Sequence, residues 1–302
     1  MANSKNFDVI IVGGSYAGLS AAMSLGRALR NVLIIDSGKP CNQQTPHSHN
    51  FITHDGKTPA QISALAREQV ARYETISFYQ GLAVSGVKTD EGFEITTESK
   101  EVFTARKLVF ATGLKDIMPD LPGFAECWGI SILHCPYCHG YEVKNLKTGL
   151  IGNGDAGFEL VKLISNWTKD LKLFTNGKST LRAEQTTKLE KYNIPIIETE
   201  IQSFQHEQGK IRCVVLKDQS EVPLNAIYAR PPFVQHCTIP LELGCEVTES
   251  NLLKVDGFQR TTVAGVYACG DNSMFGRAVS SAVASGTMVG AFVNKDLIEE
   301  EF

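Results

Sequence analysis

The apolar positions of the chain fall into short unbroken runs and longer stripes at helical spacing, and their alternation predicts an α/β fold. Phe7 to Val12 is short, β-branched and unbroken, the pattern of a strand buried on both faces, and Gly13 ends it sharply. Ala17 to Leu29 carries apolar residues at helical spacing, and Asn31 to Ile35 is a second buried run ending in Asp36. A helix is expected over Pro59 to Tyr73. Antiparallel strands are expected at Leu82 to Lys88, Phe93 to Thr97 and Glu101 to Ala105, with Gly92 turning one hairpin. Leu108 to Ala111 reads as a buried strand running into Thr112-Gly113.

The same design then recurs. Thr148 to Ile151 is a strand, Phe158 to Trp167 a helix, Leu171 to Phe174 a strand and Thr180 to Lys191 a helix. Short strands follow at Pro195 to Ile197, Ile211 to Leu216 and Ala226 to Tyr228. Ile117 to Gly123, made of Pro, Asp, Leu and Gly with few others, suits an interdomain linker, and Arg230-Pro231-Pro232 breaks the second unit. The chain is expected to cross back near Gly244 to Val247. Val263 to Ala268 is another buried strand, and Arg277 to Asn294 is a helix of mostly small residues.

Composition narrows the classes. At 302 residues and 43% hydrophobic content the chain can fill two cores. A net charge of -4 with interspersed signs suggests neither nucleic acid nor an anionic membrane surface. The cysteines, Cys41, Cys127, Cys135, Cys138, Cys213, Cys237, Cys245 and Cys269, contain one close pair, which argues for reduced thiols in a cytoplasmic protein and against a secreted disulfide scaffold. The start, Met1 to Asn6, is polar, and the apolar run Val9 to Val12 is too short for a signal-peptide core or a membrane span.

Candidate chemistry sits at the turns. Gly13-Gly14-Ser15-Tyr16-Ala17-Gly18 is a dinucleotide fingerprint with Ser15 in place of the second glycine, and Asp36 stands about 20 residues on, where a carboxylate takes a ribose hydroxyl. Gly152, Gly154 and Gly157 keep all three glycines of a second fingerprint. The strand after them ends in Thr175-Asn176-Gly177-Lys178, with no carboxylate and no arginine cluster, so only Lys178 and Arg182 remain to meet a 2′-phosphate. The final helix directs its first amides at a phosphate or flavin carbonyl, although a helix of this composition is also commonplace. The loop Gly38 to Asp55 holds His47, His49 and His54; His47 or His49 is placed to touch a flavin or substrate, or is simply exposed.

Cys135-Pro136-Tyr137-Cys138-His139-Gly140 is the stretch the chain serves. Two thiols two residues apart at a helix start close a disulfide with little backbone movement, and the helix N-terminus favours the first thiolate, with a pKa near ~7. The redox reading competes with a structural pair and with a zinc site completed by His134 and His139, for which no second ligand cluster exists in the chain.

With Gly13 to Gly18, Asp36, Ala111-Thr112-Gly113, Cys135 to Cys138, Gly152 to Gly157 and Gly270-Asp271 in this order, the sequence resembles the low-molecular-weight thioredoxin reductase family of FAD-dependent pyridine nucleotide-disulfide oxidoreductases. The resemblance spans nearly the whole chain. It implies two Rossmann-like, three-layer nucleotide-binding domains, the second inserted into the first: an FAD domain of residues 1–116 and 246–302, and an NAD(P)-binding-like domain of 117–245 carrying the dithiol. Gly13, Gly14, Ser15, Gly18, Asp36, Thr112, Gly113, Gly270, Asp271 and Ala278 would line FAD, with Asp36 on the adenosine ribose and Asp271 on the ribityl chain. Gly152, Gly154, Gly157, Lys178 and Arg182 would meet NADPH. Cys138 would be the sulfur near the flavin and Cys135 the one that attacks a partner disulfide. A homodimer is implied as well.

Three positions depart from that family. His139 stands where an acidic Asp follows the second Cys, Thr175-Asn176-Gly177 replaces a His-Arg-Arg phosphate clamp, and Ser15 replaces a glycine. Cys135 to Glu142 also looks like the FAD-dependent dithiol oxidases, which share the fold and run electrons from dithiol to oxygen. The first reading is a thioredoxin reductase-like enzyme passing electrons from a reductant through FAD, Cys138 and Cys135 to a thioredoxin-like protein or small disulfide. The alternative is a dithiol oxidase, and a flavin-bound partner without turnover is the third.

Overall fold

The computed structural model describes residues 6–302; the polar start Met1 to Lys5 lies outside the described residues. The chain divides into two compact units, one made of residues up to Gln43, Lys57–Lys115 and Phe233–Phe302, the other of Gln44–Gly56 and Asp116–Pro232.

The first unit is built on a seven-stranded sheet. Strands Ile76–Gln80, Val32–Asp36, Asn6–Val12 and Val102–Phe110 run parallel in that order, and Val266–Ala268 pairs parallel with the last of them. Gly92–Thr97 and Ala83–Thr89 extend the sheet antiparallel. Glu101 to Ala105 and Leu108 to Ala111, expected as separate strands, are one nine-residue strand, Val102–Phe110. The charged pair between them does not break it, because Arg106 reaches Glu301 at 2.5 Å and the buried Lys107 donates to Glu300. Its first half pairs with Gly92–Thr97 and its second with Val266–Ala268, which are two neighbours on one side.

Helix Tyr16–Arg27 packs on helix Val279–Glu301 through small residues. A Cβ on Gly290 would come within 2.7 Å of the Ala21 carbonyl oxygen and 2.6 Å of Ser24 Cβ, so only glycine permits this approach. Ser20 Oγ stitches the pair by donating to the Val283 carbonyl at 2.7 Å. The second helix runs past Asn294, where the sequence reading ended it, because Arg30 and Arg106 hold Glu301 and Lys107 holds Glu300. Residues 233–245, read from sequence as part of the inserted domain, fall in the first unit. Phe233–Gln235 pairs with Leu114–Asp116, and Ile239 is buried in the core with Ile10, Phe110 and Val266. That core, apolar on both faces of the central strands, is what fixes the turn after Val12 in place.

The second unit has a five-stranded parallel sheet in the order Ile196–Ile197, Leu171–Phe174, Thr148–Ile151, Ala226–Tyr228 and Ile132–Leu133. A three-stranded antiparallel meander, Ile201–Glu207, Lys210–Leu216 and Glu221–Pro223, stands beside it. Ile132–Leu133 is too short to read in sequence, yet it matters most: Cys135 begins two residues beyond its carboxyl end. Ligands of open α/β sheets gather at such ends. Among the described residues no helix is long and apolar enough to cross a membrane.

Candidate active site

Beyond Leu133 the chain enters a four-residue helix, Pro136–His139, with Pro136 at its first turn and Cys135 as N-cap. Cys135 and Cys138 form a disulfide, with Cα atoms 5.3 Å apart, inside the ordinary range for such bonds. The Cys138 amide donates to Cys135 Sγ at 3.2 Å, a hydrogen bond that favours negative charge on that sulfur once the bond opens. Tyr137, between the two sulfurs, is exposed and meets the Trp167 ring edge-on at 5.5 Å. Gly140 closes the helix against the same indole, where a Cβ would lie 2.7 Å from its nitrogen. Among the other cysteines, burial pushes Cys269 up to about 12 and Cys237 up to about 11, so these thiols stay protonated at neutral pH.

His139 is half-buried, and burial lowers its pKa; Glu142 pulls it up and His49 pushes it down. The imidazole is therefore neutral near pH 7, the form that accepts a proton. His49 belongs to the same unit, with Nε2 3.5 Å from Glu142 Oε1 and Nδ1 3.5 Å from Asp55 Oδ2. His47 lies exposed, its Nδ1 3.0 Å from the Gly56 carbonyl, and His134 meets Trp128 edge-on. No group of three or more His, Cys, Asp or Glu that could hold a metal occurs among the described residues. Glu142 and Asp55 were not singled out in the sequence; the Glu two residues after Gly140 was the available signal.

In the first unit Gly13 has a φ of +104°, and any Cβ there would strike the Ala111 carbonyl. A Cβ on Gly18 would collide with the Gly13 carbonyl, so strand and helix meet at backbone distance. Gly14 N donates to Asp36 Oδ1 at 3.0 Å, which holds the carboxylate against the turn. Ser15 is the helix N-cap without a side-chain cap bond, and the first turn carries no acid. Gly113, at φ +64°, has open space where its Cβ would be. Gly270 N donates to Ser285 Oγ at 3.0 Å, Asp271 lies 3.7 Å from Arg277, and Ala278 caps the last helix. Asn272, fully buried, donates to the Phe110 carbonyl at 2.8 Å and to Thr112 Oγ1 at 3.3 Å. An uncapped helix start without acids beside glycine-only clearances fits the pyrophosphate of a flavin dinucleotide.

The second turn differs in charge. Gly152 and Gly157 pack backbone to backbone, as a fingerprint requires. The Asn153 side-chain oxygen, however, takes the Gly154 amide at 2.8 Å and the Thr180 amide at 2.8 Å, and its Nδ2 donates to the Lys178 carbonyl at 3.0 Å. Asp155 puts a carboxylate in the first helical turn. Arg182 lies 3.1 Å from Asp155 and 2.7 Å from Glu184. The helix start is thus capped and bears an acid, Arg182 is held in surface ion pairs, and Lys178 is exposed.

The family described as Pyridine nucleotide-disulphide oxidoreductase matches residues 7–286, and the chain belongs to it. Thioredoxin reductase tcpT of Claviceps purpurea is 32% identical over 99% of this chain and 97% of its own, and thioredoxin reductase aclD of Aspergillus oryzae is 32% identical over 98% of each. Among solved structures, the putative thioredoxin reductase TrxB of Bacillus anthracis matches with a TM-score of 0.94 at 30% identity, covering 98% of this chain and 100% of that one. An oxidoreductase from Agrobacterium tumefaciens matches at 0.91 and 34% identity, covering 97% and 99%. The protein is thus an enzyme of the thioredoxin reductase type, and proteins of this type bind FAD.

Proposed function

We propose that this enzyme is an FAD-dependent thiol-disulfide oxidoreductase that works through Cys135 and Cys138, and that it runs as a dithiol oxidase. The Cys135–Cys138 disulfide beside a neutral His139 carries the proposal. A substrate thiol gives its proton to His139, its sulfur attacks the Cys135 sulfur, and the Cys135–Cys138 bond breaks with Cys138 leaving as thiolate. The second substrate thiol gives its proton to the Cys138 thiolate and its sulfur attacks the substrate sulfur bonded to Cys135, closing the substrate disulfide and releasing Cys135 as a thiolate that accepts the hydrogen bond of the Cys138 amide. Two electrons have then moved from substrate to the enzyme's dithiol. The chemistry FAD supplies when bound is two-electron transfer between this dithiol and a further acceptor, molecular oxygen in this reading.

Gly13, Gly14, Ser15, Gly18, Asp36, Thr112, Gly113, Gly270, Asp271 and Ala278 would hold FAD in the first unit, which the sequence assigns to 1–116 and 246–302 and the fold to residues up to Gln43, Lys57–Lys115 and Phe233–Phe302. The second unit, 117–245 in the sequence reading, would be a nucleotide domain by descent. The acid and the paired arginine at its turn support a donor other than NADPH. The names of tcpT and TrxB favour the reverse direction instead, from a reductant to a thioredoxin-like or small disulfide. We further infer a cytoplasmic homodimer.

Anaerobic mixing separates the readings. A small dithiol should bleach the flavin, NADPH should not, and readmitted oxygen should restore colour with release of peroxide. Bleaching by NADPH with no response to dithiol would reverse the assigned direction.

A further inference from the structure

We propose that Gln235 is a flavin-positioning residue, which holds the turn Gly270-Asp271 in place by gripping Asn272 behind it. This rests on the reading in which Thr112, Gly270 and Asp271 line FAD.

Asn272 stands where several elements of the first unit meet. It follows Asp271 directly and is fully buried. Its Nδ2 donates to the Phe110 carbonyl at 2.8 Å and to Thr112 Oγ1 at 3.3 Å, and the Phe110 carbonyl also takes the Cys269 amide at 3.1 Å. The Asn272 carbonyl accepts from the Leu253 amide at 2.8 Å and from Gln235 Nε2 at 2.9 Å. Gln235 Nε2 gives its other hydrogen to the Asn251 carbonyl at 2.8 Å. Two buried side-chain amides thus bind the strand Phe233–Gln235, the loop at 251–253 and the end of the strand Val102–Phe110 to the residue next to Asp271. The turn is closed from its other side as well. Gly270, at φ +81°, donates its amide to Ser285 Oγ at 3.0 Å, and the Ser273 amide returns to the Gly270 carbonyl at 3.1 Å.

Neither amide can turn over, because each NH2 group faces a carbonyl oxygen, which only accepts. Gln235 Oε1 and Asn272 Oδ1 are left buried without a hydrogen-bond partner. An unpaired buried acceptor is destabilising. The carbonyls that Gln235 serves do not depend on it: Asn272 already has the Leu253 amide, and Asn251 is an exposed residue, open to water. An apolar side chain of similar size would avoid the orphaned oxygen, so stability does not account for a glutamine here. A fixed place for Asn272 does. A carboxylate that must meet one hydroxyl of a bound ligand tolerates an error of about 0.5 Å, and Asp271 inherits its position from the residue after it.

The test measures the FAD dissociation constant of the full chain, the visible band of the bound flavin and the thermal midpoint of the flavin-free chain. Gln235→Leu should weaken FAD binding roughly tenfold, the scale of one lost hydrogen bond, and blur the fine structure of the band. Its flavin-free midpoint should equal or exceed that of wild type. A purely structural glutamine would do the opposite, lowering the midpoint and leaving the bound spectrum unchanged. Gln235→Glu keeps the shape and remains decisive should Gln235→Leu not fold. Its neutral carboxyl can donate one of the two bonds and its carboxylate none, so its affinity relative to wild type should be better at about pH 5 than at about pH 8. Asp271→Ala is the control and should lose the flavin. Wild-type affinity and band shape in Gln235→Leu, or a pH-independent affinity ratio in Gln235→Glu, with flavin lost from Asp271→Ala, would overturn the role of Gln235 alone. Tight flavin binding by Asp271→Ala would instead overturn the reading of the site, and the positioning role with it.

Discussion

The Arg182 guanidinium lies 3.1 Å from the Asp155 carboxylate, at the start of the helix that follows the second glycine turn. The carboxylate competes with a phosphate for that arginine and puts negative charge at the helix start. Replacing Asp155 by Asn should therefore tighten NADPH binding by about three- to tenfold, the scale of one charge at a helix start plus one released arginine. Calorimetric titration of both proteins reads it directly, and equal affinities would show that the charge is irrelevant.

Burial holds His139 below its ordinary value, so its proton-accepting form should persist to lower pH than that of a free imidazole. On its acid side, dithiol oxidation should hold to a lower pH than a free imidazole, with a pKa near ~6.5, would allow, which a pH–rate profile reads. His139→Gln should slow it about 10²-fold or more, and Cys135→Ser should abolish it. Steady rates in either variant would remove that residue from the chemistry.

Gly18→Ala should be severe. The added carbon meets the Gly13 carbonyl, and strand and helix must separate at the turn. A loss of about 1–3 kcal/mol in unfolding free energy is expected, together with loss of bound flavin absorbance after gel filtration. A variant that unfolds like wild type and stays yellow would mean the close approach is dispensable.

Asp296 accepts from Arg260 at 2.5 Å and from the buried Tyr267 hydroxyl. The Arg260 hydrogen bond depresses its pKa. The stabilisation is thus fully present above about pH 4, the unfolded value, and is lost as pH falls through the lower folded value. Asp296→Ala should cost about 1–3 kcal/mol at pH 7, since it strands the Tyr267 hydroxyl. Urea titrations should show the difference from wild type shrinking by pH 3.

Periodicity made the parallel strands, the helices behind them and both glycine turns legible, because buried βαβ units write their apolar faces continuously along the chain. It failed where a side chain far off in sequence decides. Arg106 and Lys107 look like a strand break until Glu300 and Glu301 arrive from the last helix. Ile76–Gln80 went unread because its strand alternates little and carries polar residues at a sheet position. Residues 233–245 were assigned across the wrong crossing because Ile239's burial depends on Gly86, and no local pattern reports that. At the site, the dithiol and His139 could be read in one stretch. The pairing of His49 with Glu142 could not, being a contact across more than ninety positions of chain.

Residues Gln44–Gly56 belong to the unit that holds the dithiol, although both their neighbours in sequence belong to the other. A fragment cut at 116 and 232 would keep both sulfurs and Glu142 and forfeit His49 and Asp55. Any grafting of this redox lobe onto another protein, by recombination or at the bench, has to carry two separate pieces of chain, and a single contiguous transplant would arrive without the loop that packs against it.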